Sequence, residues 1–234
     1  MLPLSDGVPT RRFPIVNTLL IVANVAVWLF YELPNLDSAV AHASLYPCTV
    51  SGSCQGPEPW WLSWFTAMFL HASWGHLAGN MLFLAVFGNN VEDSFGRLRY
   101  LCFYVAGGVA AAAAQTAMTL LAGTAADARV PTLGASGAIA AVLGAYVVLY
   151  PNARVFGLVF IVPVRISAWF FLGAWFIYQL VEANVGLLST TEGDTGGVAF
   201  FAHVGGFVFG YLVTRLVRHR LARPPSPTNP AVIP

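Results

Sequence analysis

Charged residues are scarce in this chain, and their scarcity excludes an ordinary soluble domain. Only 9% of the 234 residues are charged, whereas 57% are hydrophobic. Soluble globular domains carry about 25% charged residues, so this composition predicts a protein that lies mostly in lipid. The formal net charge of +1 leaves no basic surplus that could release counterions from a nucleic acid. We therefore expect the lipid bilayer, and no nucleic acid, as a partner.

Cysteine is also rare, with three residues in the chain. No Cys/His spacing typical of a metal site is present in the sequence, and we predict neither a metal nor another cofactor. Cys48 and Cys54 are close enough in the chain to pair in an oxidising compartment, but two free apolar side chains explain them equally well. Cys102 stands alone in an apolar stretch and is expected to be free.

Long apolar runs predict an all-α, polytopic membrane protein with six transmembrane helices. A helix needs about 20 residues to cross a hydrocarbon core of about 30 Å. The predicted spans are 14–31, 76–90, 98–121, 134–150, 168–186 and 198–217. Together they form a membrane domain, 14–220, that contains an external loop at 35–65. Residues 1–13 are expected to be a cytoplasmic N-terminal segment, and the proline-rich residues 221–234 a disordered cytoplasmic tail.

The placement of arginine predicts how the chain is oriented. If the N-terminus lies inside, ten of the eleven arginines fall in inside segments, and only Arg129 falls outside. Such an excess of positive charge on one side is typical of cytoplasmic loops. Both termini are therefore predicted to be cytoplasmic, with Glu192 and Asp194 on the external side. A compact plan of six spans without a transit or cleavable signal pattern favours a prokaryotic inner membrane.

Four polar side chains are predicted to meet near the external face of the membrane. Spans two, four and six run in the same direction, so residues near their starts lie at the same face. These residues are His76, Asn80, Ser136 and His203. With a rise of about 1.5 Å per residue, His203 and Ser136 both lie roughly 8–9 Å below the outer boundary. Polar groups at this depth are costly and indicate a functional site.

These residue types suit nucleophilic catalysis. Ser136 becomes reactive when a base such as His203 takes its proton. A serine at a helix N-terminus also has free backbone N–H groups beside it, which can stabilise an oxyanion. His76 and Asn80 share one helical face and supply two more donors. Two structural alternatives stay open, in which Ser136 is packing in a small-residue helix and His76 and Asn80 bond between helices.

Three motifs resemble those of the rhomboid family of intramembrane serine proteases. The second span carries LHASWGHLAGNM at 70–81, which resembles the family's histidine-rich motif. The fourth span begins with GASG at 134–137, and the last contains AHVGGFVFG at 202–210, which resemble the nucleophile motif and the final span. The motifs stand in family order over nearly the whole chain. The resemblance implies a bacterial-type bundle of six helices that cleaves single-span membrane proteins near the outer face.

The resemblance also implies a role for each matching residue. Ser136 would be the nucleophile and His203 the general base, without a third carboxylate. His76, Asn80 and the backbone N–H of Ser136 would form the oxyanion hole, where Gly134 leaves room. The last span would pack closely on the fourth through two glycines spaced four residues apart, Gly206 and Gly210.

The resemblance further implies a structural role for Glu92. It matches His71 to a family histidine nearer the surface, with a structural or water-organising role rather than a catalytic one. Two features depart from the family pattern. Ala140 stands where many relatives carry a tyrosine that packs on the catalytic histidine, so other residues must orient that ring. The external loop has three tryptophans suited to a membrane interface, Trp60, Trp61 and Trp64, but no clear Trp-Arg pair, so its anchoring is not predicted.

Span five is expected to be the gate for a laterally presented substrate. Gln179 and Glu182 would line this gate or form simple interhelical bonds. Two other functions are alternatives to serine endopeptidase activity. An inactive rhomboid-like scaffold that binds membrane helices would lack the serine or the histidine, and both are present. A transporter would need polar residues along a path through the membrane, whereas here they cluster on one side.

Overall fold

The backbone of this protein, described here from a computed structural model, is largely helical. The structure describes residues 2–159, 161–188 and 199–221. Short π-helical segments extend the first helix to Glu32 and join the fifth helix to the sixth. The helices, in chain order, are α1 (Ile15–Val27), α2 (Leu36–Ala43), α3 (Pro47–Val50), α4 (Trp60–Thr66), α5 (Trp74–Phe83), α6 (Asn89–Phe95), α7 (Arg97–Ala122), α8 (Ser136–Leu149), α9 (Ala168–Leu188) and α10 (Phe200–Val217).

A helical segment coincides with each of the six predicted spans, which confirms the all-α polytopic membrane fold. Within the described residues, three helices are long and apolar enough to cross a membrane, Ile15–Glu32, Arg97–Ala122 and Phe200–Arg220, and Ser136–Leu149 is a shorter apolar helix.

The second span begins earlier and ends later than predicted. The Ser73 side chain caps its start by accepting the N–H of His76 at 3.1 Å. Gly96 ends it with a φ of +79°, which favours glycine.

Helix α8 lies at the centre of the bundle because small side chains let its neighbours approach closely. All of its residues from 137 to 146 are buried. A Cβ added to Gly206 of α10 would meet the backbone carbonyl oxygen of Gly137, and one added to Gly210 would meet that of Ala141. The backbones of α8 and α10 are therefore in direct contact, as in other membrane helix pairs built on small residues.

A three-stranded antiparallel sheet, which the sequence analysis did not predict, lies where α8 ends and α9 begins. Its strands, in the order in which they pair, are β1 (Leu2–Ser5), β2 (Arg154–Val159) and β3 (Val162–Ser167). Just after β1, the Asp6 carboxylate is buried and accepts the hydroxyl of Tyr146 at 2.7 Å and the amide of Asn90 at 2.5 Å. Burial raises the pKa of the Asp6 carboxyl, which these hydrogen bonds partly oppose. The start of the chain is thus packed against α6 and α8.

Two acidic residues of α6 hold the start of α1. Helix α1 has no capping side chain of its own, because Pro14 occupies its N-cap position. Glu92 supplies the missing acceptor: its carboxylate oxygens accept the N–H groups of Val16 and Asn17 at 3.2 and 2.7 Å. A carboxylate is favourable at this end of a helix because of the helix dipole. Beside it, Asp93 pairs with Arg11 at 2.9 Å.

The predicted external loop is anchored by contacts of its own. Cys48 and Cys54 form a disulfide with Cα atoms 5.3 Å apart, so the paired alternative is the correct one. Leu45 and Thr132 exchange backbone hydrogen bonds of 3.0 and 2.7 Å. This exchange joins the loop to the residues that precede α8. The anchoring that the sequence left open is therefore a backbone contact.

The other sequence predictions about the periphery have mixed outcomes. Cys102 is free and exposed, as expected. Trp60 and Trp61 are exposed on α4, and their place at a membrane interface stays a prediction. Glu192, Asp194 and the proline-rich tail after Leu221 lie outside the described residues.

Candidate active site

A sharp turn places Ser136 at the first position of α8. Gly134 has a φ of +125°, a conformation that side chains other than glycine rarely adopt. Its N–H donates to the carbonyl of Ala67 at 2.8 Å, which holds the turn against the segment before α5. A Cβ at Gly134 would lie 3.0 Å from Nε2 of His76 and 3.4 Å from Oγ of Ser136. The space that this glycine leaves empty is therefore shared by the two side chains.

The predicted nucleophile and base are in hydrogen-bond contact. Nε2 of His203 lies 2.7 Å from Oγ of Ser136. His203 is on α10, one turn before Gly206, so the close approach of α10 to α8 brings the ring to the serine. This distance lies within the range in which a hydroxyl can pass its proton to a base.

The other nitrogen of the His203 ring contacts Gln179 of α9. Nδ1 and the amide oxygen Oε1 of Gln179 are 2.6 Å apart. An amide oxygen only accepts hydrogen bonds, so in this orientation of the amide Nδ1 donates and Nε2 is free to accept the Ser136 hydroxyl. The sequence analysis left Gln179 either lining a gate or forming an interhelical bond, and this contact between α9 and α10 is the interhelical bond. Glu182 is half-buried further along the same helix.

His76 faces the space at Gly134, and Asn80 follows it by one turn on α5. Nδ1 of His76 accepts the backbone N–H of Ala72 at 3.4 Å, so its proton is on Nε2, the atom that faces the space at Gly134. The amide nitrogen of Asn80 is buried and has no hydrogen-bond partner among the described residues. A buried donor without a partner is costly, and such donors are often kept for a ligand or a reacting group. The N–H of Ser136, in the first turn of α8, is a third available donor.

Behind His76 lies a buried polar pair that the sequence analysis did not identify. Glu32, at the end of the first span, accepts the N–H of His71 at 2.6 Å, and both residues are fully buried. The His71 ring lies 5.1 Å from that of His76. The expected position of His71 nearer the membrane surface stays a prediction. The sequence does contain a signal for Glu32, because a lone carboxylate at the end of an apolar run is costly in a membrane and indicates a specific role.

The described residues contain no group of three or more His, Cys, Asp or Glu side chains that could hold a metal ion. The model of a known family, described as the Rhomboid domain, matches residues 58–220, well over half of the chain. The chain belongs to the rhomboid family. The match includes all three motifs on which the resemblance rested.

Relatives from several kingdoms of life are similar to this rhomboid. "Presenilin-associated rhomboid-like protein, mitochondrial" of Bos taurus is 29% identical over 210 residues, or 88% of this chain and 48% of that protein. "Rhomboid protein 1, mitochondrial" of Saccharomyces cerevisiae is 30% identical over 151 residues, or 62% and 38%. "Putative rhomboid protease YdcA" of Bacillus subtilis is 31% identical over 102 residues, or 42% and 47%. The chain thus spans less than half the length of each of these relatives.

These relatives correct the predicted location. The bovine and yeast proteins are named as mitochondrial. This finding contradicts the prokaryotic inner membrane, with cytoplasmic termini, that the sequence analysis favoured. That prediction rested on the compact plan of six spans and on the lack of a transit pattern. A plan of six spans does not distinguish a prokaryotic membrane from an organellar one.

Proposed function

We propose that this rhomboid is an intramembrane serine endopeptidase in which Ser136 is the nucleophile and His203 the general base. The observation that carries the proposal is the 2.7 Å distance between Nε2 of His203 and Oγ of Ser136. Membership of the rhomboid family supports the same reaction class. The Nδ1–H form of His203 supports it as well, because only that form leaves Nε2 able to accept a proton.

The first half of the reaction forms an acyl-enzyme. Oγ of Ser136 attacks the carbonyl carbon of the scissile peptide bond while its proton moves to Nε2 of His203. The carbonyl oxygen becomes an oxyanion, which accepts hydrogen bonds from the Ser136 N–H, from Nε2 of His76 and from the Asn80 amide. His203 then gives the proton to the leaving amine as the C–N bond breaks. A water molecule, deprotonated by the same histidine, releases the second product and restores Ser136.

The substrate that we propose is a single-span membrane protein presented from the lipid. A substrate helix hides its peptide bonds in hydrogen bonds between residues i and i−4, so the segment to be cleaved must unwind before attack. Attack near one membrane face is consistent with the position of Ser136 at the start of α8. By likeness to the bovine and yeast relatives, the compartment proposed is an organellar membrane.

The test is labelling of the purified protein in bilayers with a fluorophosphonate probe, which reacts with activated serines. We expect wild type to be labelled and Ser136→Ala and His203→Ala to be unlabelled. His76→Ala should be labelled about a hundredfold more slowly, the effect of removing one oxyanion donor. A wild-type protein that is folded but takes no label would refute the proposal, and an inactive scaffold that binds membrane helices would then explain the fold.

A further inference from the structure

We propose that Gln179 is a positioning residue that keeps His203 in its reactive form, so that the docking of α9 on α10 determines whether the base can act. The inference rests on the proposed function of Ser136 and His203. It adds a third residue to the pair, contributed by a different helix from either. Gln179 is 5% exposed, and its only acceptor atom is directed at Nδ1 of His203.

The amide oxygen selects one of the two neutral forms of the imidazole ring. With Oε1 as its neighbour, Nδ1 must donate, and the lone pair of Nε2 is directed at Ser136. If the amide nitrogen faced the ring instead, Nδ1 would have to accept and Nε2 would carry the proton. His203 could then not take the serine proton. The orientation of a single amide group therefore separates a reactive from an unreactive pair.

The amide also stabilises the charged form of the ring that the reaction creates. When Nε2 takes the proton of Ser136, the imidazolium has two N–H groups, and Nδ1–H still has its acceptor. Soluble serine proteases use a buried carboxylate at this position for the same two tasks. Here the acceptor is neutral, so it orients the ring without adding a charge to the interior of the membrane, where charges are costly.

A second contact from α9 fixes the plane of the ring. Trp175 lies one helical turn before Gln179, so both side chains project from the same face of α9. The Trp175 ring lies 5.9 Å from the His203 ring, at an angle of 39°. On another side, Phe200 approaches edge-on at 6.3 Å. Ala140 of α8 has only a methyl group, so the contacts that orient the ring come from α9 and α10.

The orientation of the His203 ring depends on α9 staying packed against α10. The opposite face of the helix is exposed and apolar, with the residues Trp169, Phe170, Ile177, Tyr178 and Val181. Helix α9 therefore lies at the edge of the bundle, with lipid on one side and His203 on the other. Any displacement of α9 from α10 removes the amide and the indole together. The base loses its orientation although Ser136 and His203 stay where they are.

Three variants test the inference with the fluorophosphonate probe in bilayers. Gln179→Met keeps the size of the side chain but has no acceptor oxygen, whereas Gln179→Glu keeps an oxygen at the same position. Asn184→Met is the matched control, because Asn184 lies on the same helix, is exposed and donates its side-chain amide to the carbonyl of Leu180, one turn earlier. The maximal labelling rate is measured separately from the probe concentration that gives half of it, and thermal unfolding is followed in parallel.

We expect Gln179→Met to reduce the maximal rate about tenfold or more, since one hydrogen bond to a charged group is lost, with little change in half-saturation or unfolding temperature. Gln179→Glu should recover most of the rate, and Asn184→Met should match wild type. In ¹⁵N-histidine NMR spectra of wild type, His203 should carry its proton on Nδ1. This spectrum needs no variant and so remains decisive if Gln179→Met does not fold.

The outcomes separate this inference from the proposed function. If wild type is labelled and Gln179→Met is labelled equally fast, Gln179 does not position the base, and the Ser136–His203 protease stands. Failure of Gln179→Glu to recover the rate would make the glutamine a packing residue. A wild-type spectrum with the proton on Nε2 would also overturn the inference. If wild type takes no label at all, the proposed function fails, and this inference fails with it.

Discussion

A single methyl group at Gly206 should separate the nucleophile from the base. In Gly206→Ala, the new Cβ would overlap the backbone carbonyl oxygen of Gly137 on α8. The Gly137 carbonyl belongs to the helical backbone of α8 and cannot rotate away as a side chain can. An ordinary contact between these two atoms would be about 3.5 Å long, and the new Cβ would lie well inside that distance. Relief therefore requires that α8 and α10 move apart near this point by about 1 Å.

The movement lowers the reaction rate because it lengthens the distance between His203 and Ser136. The present separation of 2.7 Å would become longer than about 3.5 Å, where a hydrogen bond is no longer formed. A misplacement of about 1 Å in a catalytic group costs about a hundredfold in rate. Overpacking in a core should also destabilise the protein by about 1–3 kcal/mol. We therefore expect the fluorophosphonate labelling rate to fall about a hundredfold, with a measurable loss of thermal stability.

Gly173→Ala is the matched control for this experiment. It adds the same methyl group to α9, where nothing lies within 4 Å of the new Cβ. Alanine should stabilise that helix by about 0.5–1 kcal/mol, and labelling should not change. If Gly206→Ala were labelled at the wild-type rate, the close approach of α8 and α10 would not be what sets the distance between Ser136 and His203.

Two further predictions concern stability. Replacing Cys48 and Cys54 by serine should lower the free energy of unfolding, measured by thermal or denaturant unfolding, by about 2 kcal/mol, the loop-closure value for so short a loop. Reduction of wild type with dithiothreitol should have the same effect. A serine variant with the same free energy of unfolding as oxidised wild type would refute this prediction. Asp6, whose pKa is raised in the folded state, contributes stability that is fully present below its ordinary pKa of 3.8 and is lost as the pH rises through the raised value. Unfolding temperatures measured across this window should fall with pH in wild type and change less in Asp6→Asn, and equal slopes would contradict the assignment to Asp6.

The sequence was sufficient to predict the spans and the meeting of Ser136 with His203. Apolar runs of sufficient length have few other folds available, because backbone groups in lipid must be bonded within the segment. Three spans of equal direction then bring their starting residues to one face. The structure adds distances to this prediction, and those distances depend on the glycine contacts between α8 and α10.

The role of Gln179 could not be read in the same way, for a physical reason. Helix α9 is apolar on nearly every side, so the sequence does not specify how it is rotated about its axis. A rotation of one residue, about 100°, would point Gln179 at lipid instead of His203. The same limit applies to the sheet. Residues 154–167 form an apolar stretch between two spans, and their pairing with Leu2–Ser5 depends on contacts with the distant start of the chain.

The pairing of β1 with β2 has a consequence for biosynthesis. Leu2 pairs with Leu158, and Asp6 bonds to Tyr146, so the first strand must wait for residues made much later. At about 5–20 residues per second, this interval is on the order of ten seconds. During that time α1 can already lie in the bilayer while Asp6 remains in water, where it is ionised. The first strand to be made thus stays unpaired until α8 and β2 have been made, and β3, α9 and α10 follow later.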